Sequence, residues 1–304
     1  MKTKLLLSGL FLSTFFISNA QYNWDYGVKL GGANYLGEIG GKEKTRRNFL
    51  WDMRLNQSRL AVGGFVRYKI NSFGSINAGL TYGRITANDA NSSNPGRVGR
   101  NLSFKNDIIE LSARGELNIY NIADVSRKGW YRVDFKSYIF AGVAGFYHSP
   151  KAKSDKYNSG KWTELQPLQT EGQYYSKFGA SIPVGFGVYF TNRRHHRLGW
   201  EIGLSTTFTD YLDDVSGMYP EINEVDPLVY YAFTNRTDEV ATEDLPLGEG
   251  ENYQPGSKRG DSKHNDAYVF TTFSYSYVKR NSNSIYTNWN PKYSKKRRKL
   301  QFKF

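Results

Sequence analysis

The sequence predicts an all-β fold: a closed antiparallel transmembrane β-barrel of about eight strands, with long extracellular loops and a basic C-terminal tail. Three observations predict it. Apolar and polar residues alternate along eight segments, and long and short connections alternate between those segments. The 304-residue chain is also 16% aromatic, with 23 Tyr and 30 Gly. Aromatic girdles and alternating strands with a weak hydropathy signal are typical of outer-membrane barrels.

Residues 1–20 are predicted to be a signal peptide. Two lysines precede a short apolar run, which ends in Ser-Asn-Ala immediately before Gln21. Because residue 21 is not Cys and the chain has no cysteine, a lipoprotein anchor and a disulfide framework are excluded. No later stretch reaches the roughly 18 apolar residues of a membrane-spanning helix. The barrel is therefore expected over residues 21–280, in the outer membrane of a Gram-negative cell and in contact with its lipids.

Each strand is predicted from its own alternation. The predicted strands are residues 25–36, 60–70, 75–84, 109–119, 135–147, 178–190, 198–208 and 267–278. Six of these strands show two opposed faces, the first apolar and the second mostly polar or small. For strands one to four they are Tyr26/Val28/Leu30 and Lys29; Leu60/Val62/Val66/Tyr68 and Phe65/Arg67/Lys69; Ile76/Ala78/Leu80/Tyr82 and Ser75/Asn77/Gly79/Thr81; Ile109/Leu111/Ala113/Leu117/Ile119 and Glu110/Ser112/Arg114/Glu116/Asn118. For strands six and seven they are Ile182/Val184/Phe186/Val188 and Ser181/Gly185/Gly187/Tyr189; Leu198/Trp200/Ile202/Leu204/Phe208 and Glu201. The fifth segment is apolar on both faces, so its facing stays open. Pro183 predicts a bulge or a local break, because proline cannot donate to a strand ladder.

The connections support closure of the barrel. They alternate in length, with long loops at residues 37–58, 85–105, 148–176 and 210–265 and shorter turns at 71–74, 120–134 and 191–197. Long loops outside, short turns inside and both chain ends in the periplasm are the outer-membrane arrangement. An even number of strands also removes the unpaired edges that lipid does not tolerate.

The predicted lumen carries charges of both signs. An eight-stranded barrel has an interior that its own side chains fill. The inward-facing charges are Lys29, Arg67, Arg114 and Lys136 against Glu110, Glu116 and Glu201. Buried charges need partners, and these numbers nearly match. We therefore predict an internal ion-pair network, and not a wide aqueous pore.

Most of the formal charge of +13 lies in the C-terminal segment. Residues 279–304 hold no acid and nine positive residues: Lys279, Arg280, Lys292, Lys295, Lys296, Arg297, Arg298, Lys299 and Lys303. Arg193, Arg194 and Arg197 form a second basic patch beside His195 and His196, in a predicted periplasmic turn. Both basic segments either mark the topology and contact anionic headgroups, or dock an acidic periplasmic partner. Nucleic acid is not an expected partner in this compartment.

The closing strand has two candidates. Leu300, Phe302 and Phe304 alternate at the chain end, which would suit a further strand. We prefer residues 270–278, because the cluster 295–299 would be costly in hydrocarbon. Residues 281–304 are then a periplasmic tail.

Five segments carry a family resemblance: GVKLGGANYLGEIGG (27–41), IIELSARGELNIY (108–120), YIFAGVAGFYHSPKA (138–152), SIPVGFGVYF (181–190) and TFTDYLDDVSGMYP (207–220). With them the chain resembles the PorG family, the outer-membrane barrel of the type IX secretion and gliding system of Bacteroidetes-type bacteria. The resemblance implies a non-enzymatic component without a cofactor, associated on its periplasmic side with a ring of PorK and PorN. The family-signature residues are Thr209, Asp210, Tyr211, Asp213, Asp214, Ser216 and Gly217, expected in a loop at the outer rim.

Two alternative hypotheses concern this loop. The first is a surface-acting barrel, an adhesin or a rim hydrolase, that works through residues 210–265. In it, His148 or His264 would meet a signature carboxylate and form a base with an orienting acid. The second is a calcium site at Asp210, Asp213 and Asp214, because hard cations prefer carboxylate oxygens. Isolated histidines and a structural turn are the preferred interpretation, so no catalytic or metal-binding residue is predicted.

Overall fold

The computed structural model describes residues 22–40, 57–71, 73–123, 125, 133–193, 195–240 and 253–280. Its strands are β1 (Tyr22–Leu36), β2 (Arg59–Lys69), β3 (Gly74–Asn88), β4 (Ser103–Ile122), β5 (Val133–Tyr147), β6 (Pro150–Ala152), β7 (Thr163–Glu164), β8 (Phe178–Asn192), β9 (His196–Thr207) and β10 (Ala267–Arg280). Eight of them form a ring in the order β1-β2-β3-β4-β5-β8-β9-β10, and every neighbouring pair is antiparallel. β10 pairs with β1 over nearly its whole length and closes the ring. The predicted fold class, strand count and closing strand are therefore confirmed.

The strand faces follow the alternation in the sequence. Outward side chains such as Leu111, which is 66% exposed, alternate with buried ones such as Arg114. The facing of β5, which the sequence left open, is resolved by burial: Tyr138 and Phe140 point inward, whereas Ile139 and Val143 point outward. Alternation is a local property of extended backbone, so it holds wherever the strand is regular.

Two irregularities interrupt the ladders. The pairing of β5 with β8 skips Ile182 and Pro183 but keeps the same register on both sides, so the proline causes a local break without a bulge. A register shift in β4 between Asn118 and Tyr120 is the second irregularity. It leaves both Ile119 and Tyr120 exposed on the outer surface.

The two ends of the barrel differ. The short-turn end carries the connections around residues 70–73, 123–132 and 193–195, and the long-loop end carries those at 37–58, 89–102, 148–177 and 208–266. The predicted alternation of loop lengths is thus confirmed, although β3 and β4 extend further into the third connection than predicted. The turn predicted at residues 191–197 is also shorter, because β8 reaches Asn192 and β9 begins at His196.

The long-loop end is covered by a folded cap, which we define as the described residues of those four loops. Its helical elements are α1 (Pro95–Arg100), α2 (Pro227–Val229), a π-helical turn (Tyr230–Thr234) and 3-10 turns at Asp89–Asn91, Asn158–Gly160, Gln166–Leu168, Ile222–Glu224 and Thr237–Glu239. α1 begins where Asn94 caps it, with Pro95 in the first turn, and ends at Asn101 in the left-handed conformation. In the described part of the chain, no helix is long and apolar enough to cross a membrane.

The cap has its own core and continues into the barrel mouth. Leu212 and Val215 from the longest loop pack in one cluster with Ile108 and Phe146 of the barrel wall. A second cluster joins α2, the π-helical turn and the β6–β7 region: Ala152, Leu165, Val225, Val229, Tyr230, Ala232 and Phe233. The loops therefore close the mouth of the barrel with buried apolar side chains.

Candidate functional site

Arg67 lies inside the lumen between two carboxylates. Its Nε donates to Glu116 Oε2 at 2.6 Å, and its Nη1 donates to Asp25 Oδ2 at 2.9 Å. Ser75 and Asn77 also donate to Glu116, at 3.0 and 2.7 Å. The guanidinium is 5% exposed, so these ion pairs are shielded from water. Strands β1, β2 and β4 are joined across the lumen by this one side chain.

A second group centres on Glu201 of β9. Arg114 donates to Glu201 at 2.8 Å, Lys29 lies 3.8 Å from the same carboxylate, and Tyr138 Oη donates to it at 3.0 Å. The Arg114 guanidinium also lies over the ring of Phe140, 4.4 Å from its centroid. Each buried charge of this group thus has an opposite charge as a neighbour, and Arg114 also has an aromatic ring, which offsets the cost of desolvation.

Neutral donors surround the last predicted lumen acid. Glu110 accepts hydrogen bonds from Tyr268 Oη at 2.6 Å and from Ser205 Oγ at 3.1 Å. Lys136 lies away from it, at the short-turn end of the lumen beside Lys69. The structure places the predicted lumen residues together inside the barrel: Arg67, Glu110, Arg114, Glu116 and Glu201.

The signature segment lies inside the cap, with its acidic side chains buried. Asp213 and Asp266 both contact Tyr35 Oη, at 2.7 and 2.6 Å. A hydroxyl has one hydrogen, which can serve one of the two carboxylates, so the pair must carry at least one proton of its own. Burial raises the pKa of Asp213 to about 6, and burial together with the neighbouring Asp213 raises the pKa of Asp266 well above its usual range. The three groups therefore form a proton-sharing cluster at the barrel mouth.

Asp214 is held by hydroxyl groups. Thr170 Oγ1 and Tyr175 Oη both donate to it at 2.5 Å. Its backbone is left-handed, with φ of 70°, which turns the chain sharply at this point. Tyr211 stacks on Tyr175 with 4.6 Å between ring centroids, so the aromatic residue of the signature supports the same turn. At the start of the signature segment, the Thr209 hydroxyl accepts a hydrogen bond from the Tyr211 N–H.

Arg259 and Glu171 hold the end of the signature segment. Both oxygens of Glu171 accept from the backbone, from the N–H groups of Ser216 and Gly217 at 3.0 Å each. Arg259 donates to Glu171 at 2.6 Å and to the carbonyl of Asp214 at 2.7 Å. This buried pair explains the fold of the segment without any ligand.

Asp210 is different, because it is 7% exposed and its carboxyl group lies beside the Ser216 hydroxyl without a hydrogen bond of good geometry. Burial raises its pKa to about 7, and the neighbouring Asp213 adds to the shift. Burial also raises the pKa of Asp214 to about 7 and that of Glu38 to about 9. An uncharged carboxyl group costs less to bury than a carboxylate, so the cap favours the protonated forms.

We therefore expect the cap to lose stability as the pH rises. A carboxyl group whose pKa is raised by folding contributes fully below its unfolded pKa, and that contribution is lost as the pH rises through the folded pKa. For Asp210 and Asp214 this stabilisation is lost between about pH 4 and pH 7. Over that interval each group lowers the free energy of unfolding of the cap by up to about 1.4 kcal/mol for each pH unit. Hydrogen exchange of the cap amides between pH 5 and pH 8 measures this loss of cap stability, after correction for the intrinsic pH dependence of exchange.

Asp210→Asn should reduce this pH dependence, and Asp155→Asn, which changes an exposed carboxyl group of the cap, should leave it unchanged. Cap protection that is constant or rises over the same interval would contradict the expectation.

The histidines do not join the signature carboxylates. His148 is fully buried, and its ring nitrogens face Asn106 Nδ2 at 3.5 Å and the Ser176 carbonyl at 3.1 Å. Burial lowers the pKa of His148 to about 4. His264 lies at the surface and pairs with Asp261. The His–Asp arrangement required by the hydrolase hypothesis is therefore not formed.

The calcium hypothesis also lacks a formed site. In the ranges that the structure describes, no group of three or more acidic, histidine or cysteine side chains is arranged to hold a metal ion. Asp213 and Asp214 direct their oxygens toward hydroxyl and amide donors, and the Asp210 carboxyl group lies beside the Ser216 hydroxyl.

Arg197 corrects the prediction of a basic turn patch. It belongs to β9, is 7% exposed and points into the lumen, where it donates to Asp25 at 2.5 Å and to Thr191 at 3.2 Å. Arg197 lies four residues before Glu201 in the same strand, and side chains an even number of residues apart point to the same face. The alternation therefore already indicated that Arg197 faces the lumen. Arg193 lies in the turn. Arg194 and the predicted partner-binding tail residues Lys292, Lys295, Lys296, Arg297, Arg298 and Lys299 lie outside the described residues.

Sequence reasoning also missed three stabilising pairs: Arg100–Asp89, Arg259–Glu171 and Arg197–Asp25. Two of them lie in the loops, where no periodicity indicates which side chains are buried. Arg100 nevertheless donates to Asp89 at 2.8 Å and to the Arg259 carbonyl at 2.6 Å, linking the second long loop to the fourth.

Two solved structures illustrate what the chain is similar to. Ail of Yersinia pestis, in complex with the heparin analogue sucrose octasulfate, is 10% identical over 84% of this chain and 98% of its own, with a TM-score of 0.32. The N-terminal β-barrel domain of Pseudomonas aeruginosa OprF is 7% identical over 84% of this chain and 97% of its own, also with a TM-score of 0.32. No curated protein matches the chain. Residues 3–243 match a protein family, and because this is more than half of the chain, the protein belongs to the family described as Domain of unknown function (DUF6089).

Proposed function

We propose that this protein is a non-enzymatic outer-membrane barrel that attaches the periplasmic PorK/PorN ring of the type IX secretion and gliding machinery to the membrane. The resemblance to the PorG family suggests the apparatus. The observation that carries the attachment role is the position at which β10, the last described strand, ends. β10 runs to Arg280 at the short-turn end, where the Val278 N–H donates to the His195 carbonyl at 2.8 Å. The basic segment 281–304 therefore starts at the end opposite the cap.

The outer surface supports a membrane location. Along β4, outward apolar residues extend from Ile109 to Ile119. Ten residues at about 3.4 Å each, tilted by about 40°, give a band roughly 26 Å high, close to the apolar band of outer-membrane barrels. Aromatic pairs lie toward both ends of the band: Trp24–Tyr68 and Phe135–Phe190 near the short turns, and Tyr147–Phe178 near the long loops. Such aromatic girdles are typical of the two membrane interfaces.

The filled lumen supports a structural role over conduction. The ion pairs of Arg67 and Arg114 cross the interior, and the ring of Phe140 packs over β8 and β9. A Cβ at Gly185 or Gly203 would lie 2.5 or 2.9 Å from that ring, so these glycines allow the close approach.

The attachment role is tested by deleting residues 281–304. We expect a folded barrel that stays in the outer-membrane fraction but no longer co-purifies with the periplasmic ring from crosslinked cells. The reason is that seven of the positive charges, and no acid, are removed with this segment. Co-purification of the full chain should also weaken as ionic strength rises.

The matched control is deletion of residues 281–290, which carry no charge. This variant should still co-purify with the periplasmic ring. Retention of the ring after deletion of 281–304 would refute the docking role, whereas recovery of the protein outside the outer-membrane fraction would refute the location.

A further inference from the structure

A small sheet extends the outer surface of the barrel above its apolar band. β4 continues past the barrel wall, β6 pairs with it at Lys105 and Lys151, and β7 pairs with β6 at Lys151 and Glu164. Directly opposed residues of an antiparallel pair face the same side. Lys153 lies two residues beyond Lys151 and Trp162 two residues before Glu164, so continuing the register of this pair brings both to the same face as Lys105 and Lys151.

The tryptophan lies between two of these lysines. Lys105 Nζ is 4.1 Å and Lys153 Nζ is 4.9 Å from the centroid of the Trp162 ring. The ring is 45% exposed, so the three side chains form one accessible surface. We call Lys105, Lys153 and Trp162 the rim patch. An aromatic face attracts each ammonium group, which brings two like charges closer together than they would otherwise lie.

The acids of this face are already paired. Asp107 pairs with Arg84 at 2.6 Å, and Glu164 pairs with Lys151 at 3.2 Å and with Lys177 at 2.8 Å. Within the described ranges, neither Lys105 nor Lys153 has a carboxylate at ion-pair distance. The rim patch therefore has two positive charges available to an anion from outside the chain.

The position of the rim patch indicates which anion. Lys105 continues the outward face of β4 four residues beyond the apolar Ile109, or about 13 Å along the strand. The opposite face of the extension is anchored, because Ala152 and Leu165 are buried in the cap core. The patch is thus held outside the barrel wall, just above the apolar band, where the headgroups of the surrounding lipid would lie.

We propose that the rim patch binds the phosphate groups of the phosphorylated glycolipid in the outer leaflet of the outer membrane. This proposal rests on the membrane location given above. Lys105 and Lys153 neutralise a phosphate, and Trp162 lies at the interface beside the sugar. Clustered basic residues next to a membrane-spanning segment are a known means of recognising anionic headgroups, and interfacial tryptophans position them.

The test uses the full-length protein in phosphatidylcholine nanodiscs that contain a minor fraction of diphosphoryl lipid A, with retained lipid A counted by native mass spectrometry. The Lys105→Ala/Lys153→Ala variant should bind lipid A about tenfold more weakly than the wild type, because each lysine at an anionic surface contributes a few-fold. Lys258→Ala/Lys263→Ala, which removes two exposed charges elsewhere in the loops, should bind within about twofold of wild type.

Dephosphorylated lipid A and inorganic phosphate complete the design. The wild type should not prefer dephosphorylated lipid A over phosphatidylcholine, and excess inorganic phosphate should not displace diphosphoryl lipid A. Equal binding by the wild type and the rim-patch variant, or equal binding of both lipid A forms, would overturn the proposal. Displacement by inorganic phosphate would also overturn the proposal, because it would show a general anion site. Fractionation of cells tests the membrane location separately, so failure of that location is distinguishable from failure of lipid binding.

Discussion

Replacing Arg67 with methionine is expected to lower the free energy of unfolding of the barrel by about 3 kcal/mol. Arg67 is the buried partner of both Asp25 and Glu116. Removing one member of a buried ion pair commonly costs about 3–5 kcal/mol, because the other charge stays desolvated. The lower value applies here since Asp25 keeps Arg197 and Glu116 keeps two neutral donors. The change in free energy of unfolding is measured by urea unfolding in detergent or lipid. The readout is the shifted gel band of the folded barrel in unboiled samples.

Arg84→Met is the matched control. Arg84 makes a similar pair with Asp107 at 2.6 Å, but its side chain is 41% exposed on the outer surface. Exposed pairs contribute about 0–1 kcal/mol, so this variant should unfold nearly as the wild type does. Adding Glu116→Gln to Arg67→Met should recover part of the loss, because the second change removes an unpaired charge. A loss below about 1 kcal/mol for Arg67→Met would show that the lumen pairs are not needed for stability.

Replacing Arg259 with methionine is expected to open the cap and leave the barrel folded. Arg259 is 3% exposed and donates to Glu171, to the Asp214 carbonyl and to two further carbonyls, of Thr234 and Phe233. The loss should be about 3 kcal/mol and local, since these partners all belong to the cap. Hydrogen exchange of residues 209–217 should therefore accelerate by roughly 100-fold, whereas exchange in the barrel strands stays unchanged.

Arg236→Met is the control for the cap. Arg236 pairs with Glu239 at 2.6 Å, and both side chains are partly exposed, so its loss should cost less than the loss of the fully buried Arg259. If Arg259→Met accelerated exchange in β1 or β10 as strongly as in the cap, the cap and the barrel would be one cooperative unit, contrary to the expectation.

The strands were predictable because their signal is local. Leu198 and Glu201 stand on opposite faces whatever else the chain does, since adjacent side chains of extended backbone point to opposite sides. β5 shows where this signal is insufficient. Its two faces are both apolar, so nothing in the segment distinguishes the lumen from the outside. Tyr138 and Phe140 are buried because they contact Glu201 and Arg114 of other strands inside the lumen.

The cap was much less predictable. Asp210, Asp213 and Asp214 were expected in a loop at the outer rim, and the sequence did not indicate that the fold buries all three. Loops have no periodicity that separates inward from outward positions, and their burial depends on segments far away in the chain. Asp213 contacts Tyr35, which is 178 residues away, and Arg259 contacts Glu171, which is 88 residues away.

The sequence by itself determined the barrel, the strand count, the facing of most strands and the sign of the charges in the lumen. Each of these follows from the pattern within single segments. The tertiary structure decided which charges meet: Arg197 lies in the lumen with Asp25, 172 residues away, and Tyr35 brings Asp213 and Asp266 together. Contacts across the lumen depend on the tilt and stagger of the strands and on the loops above them. Those are properties of the closed barrel, and no single segment encodes them.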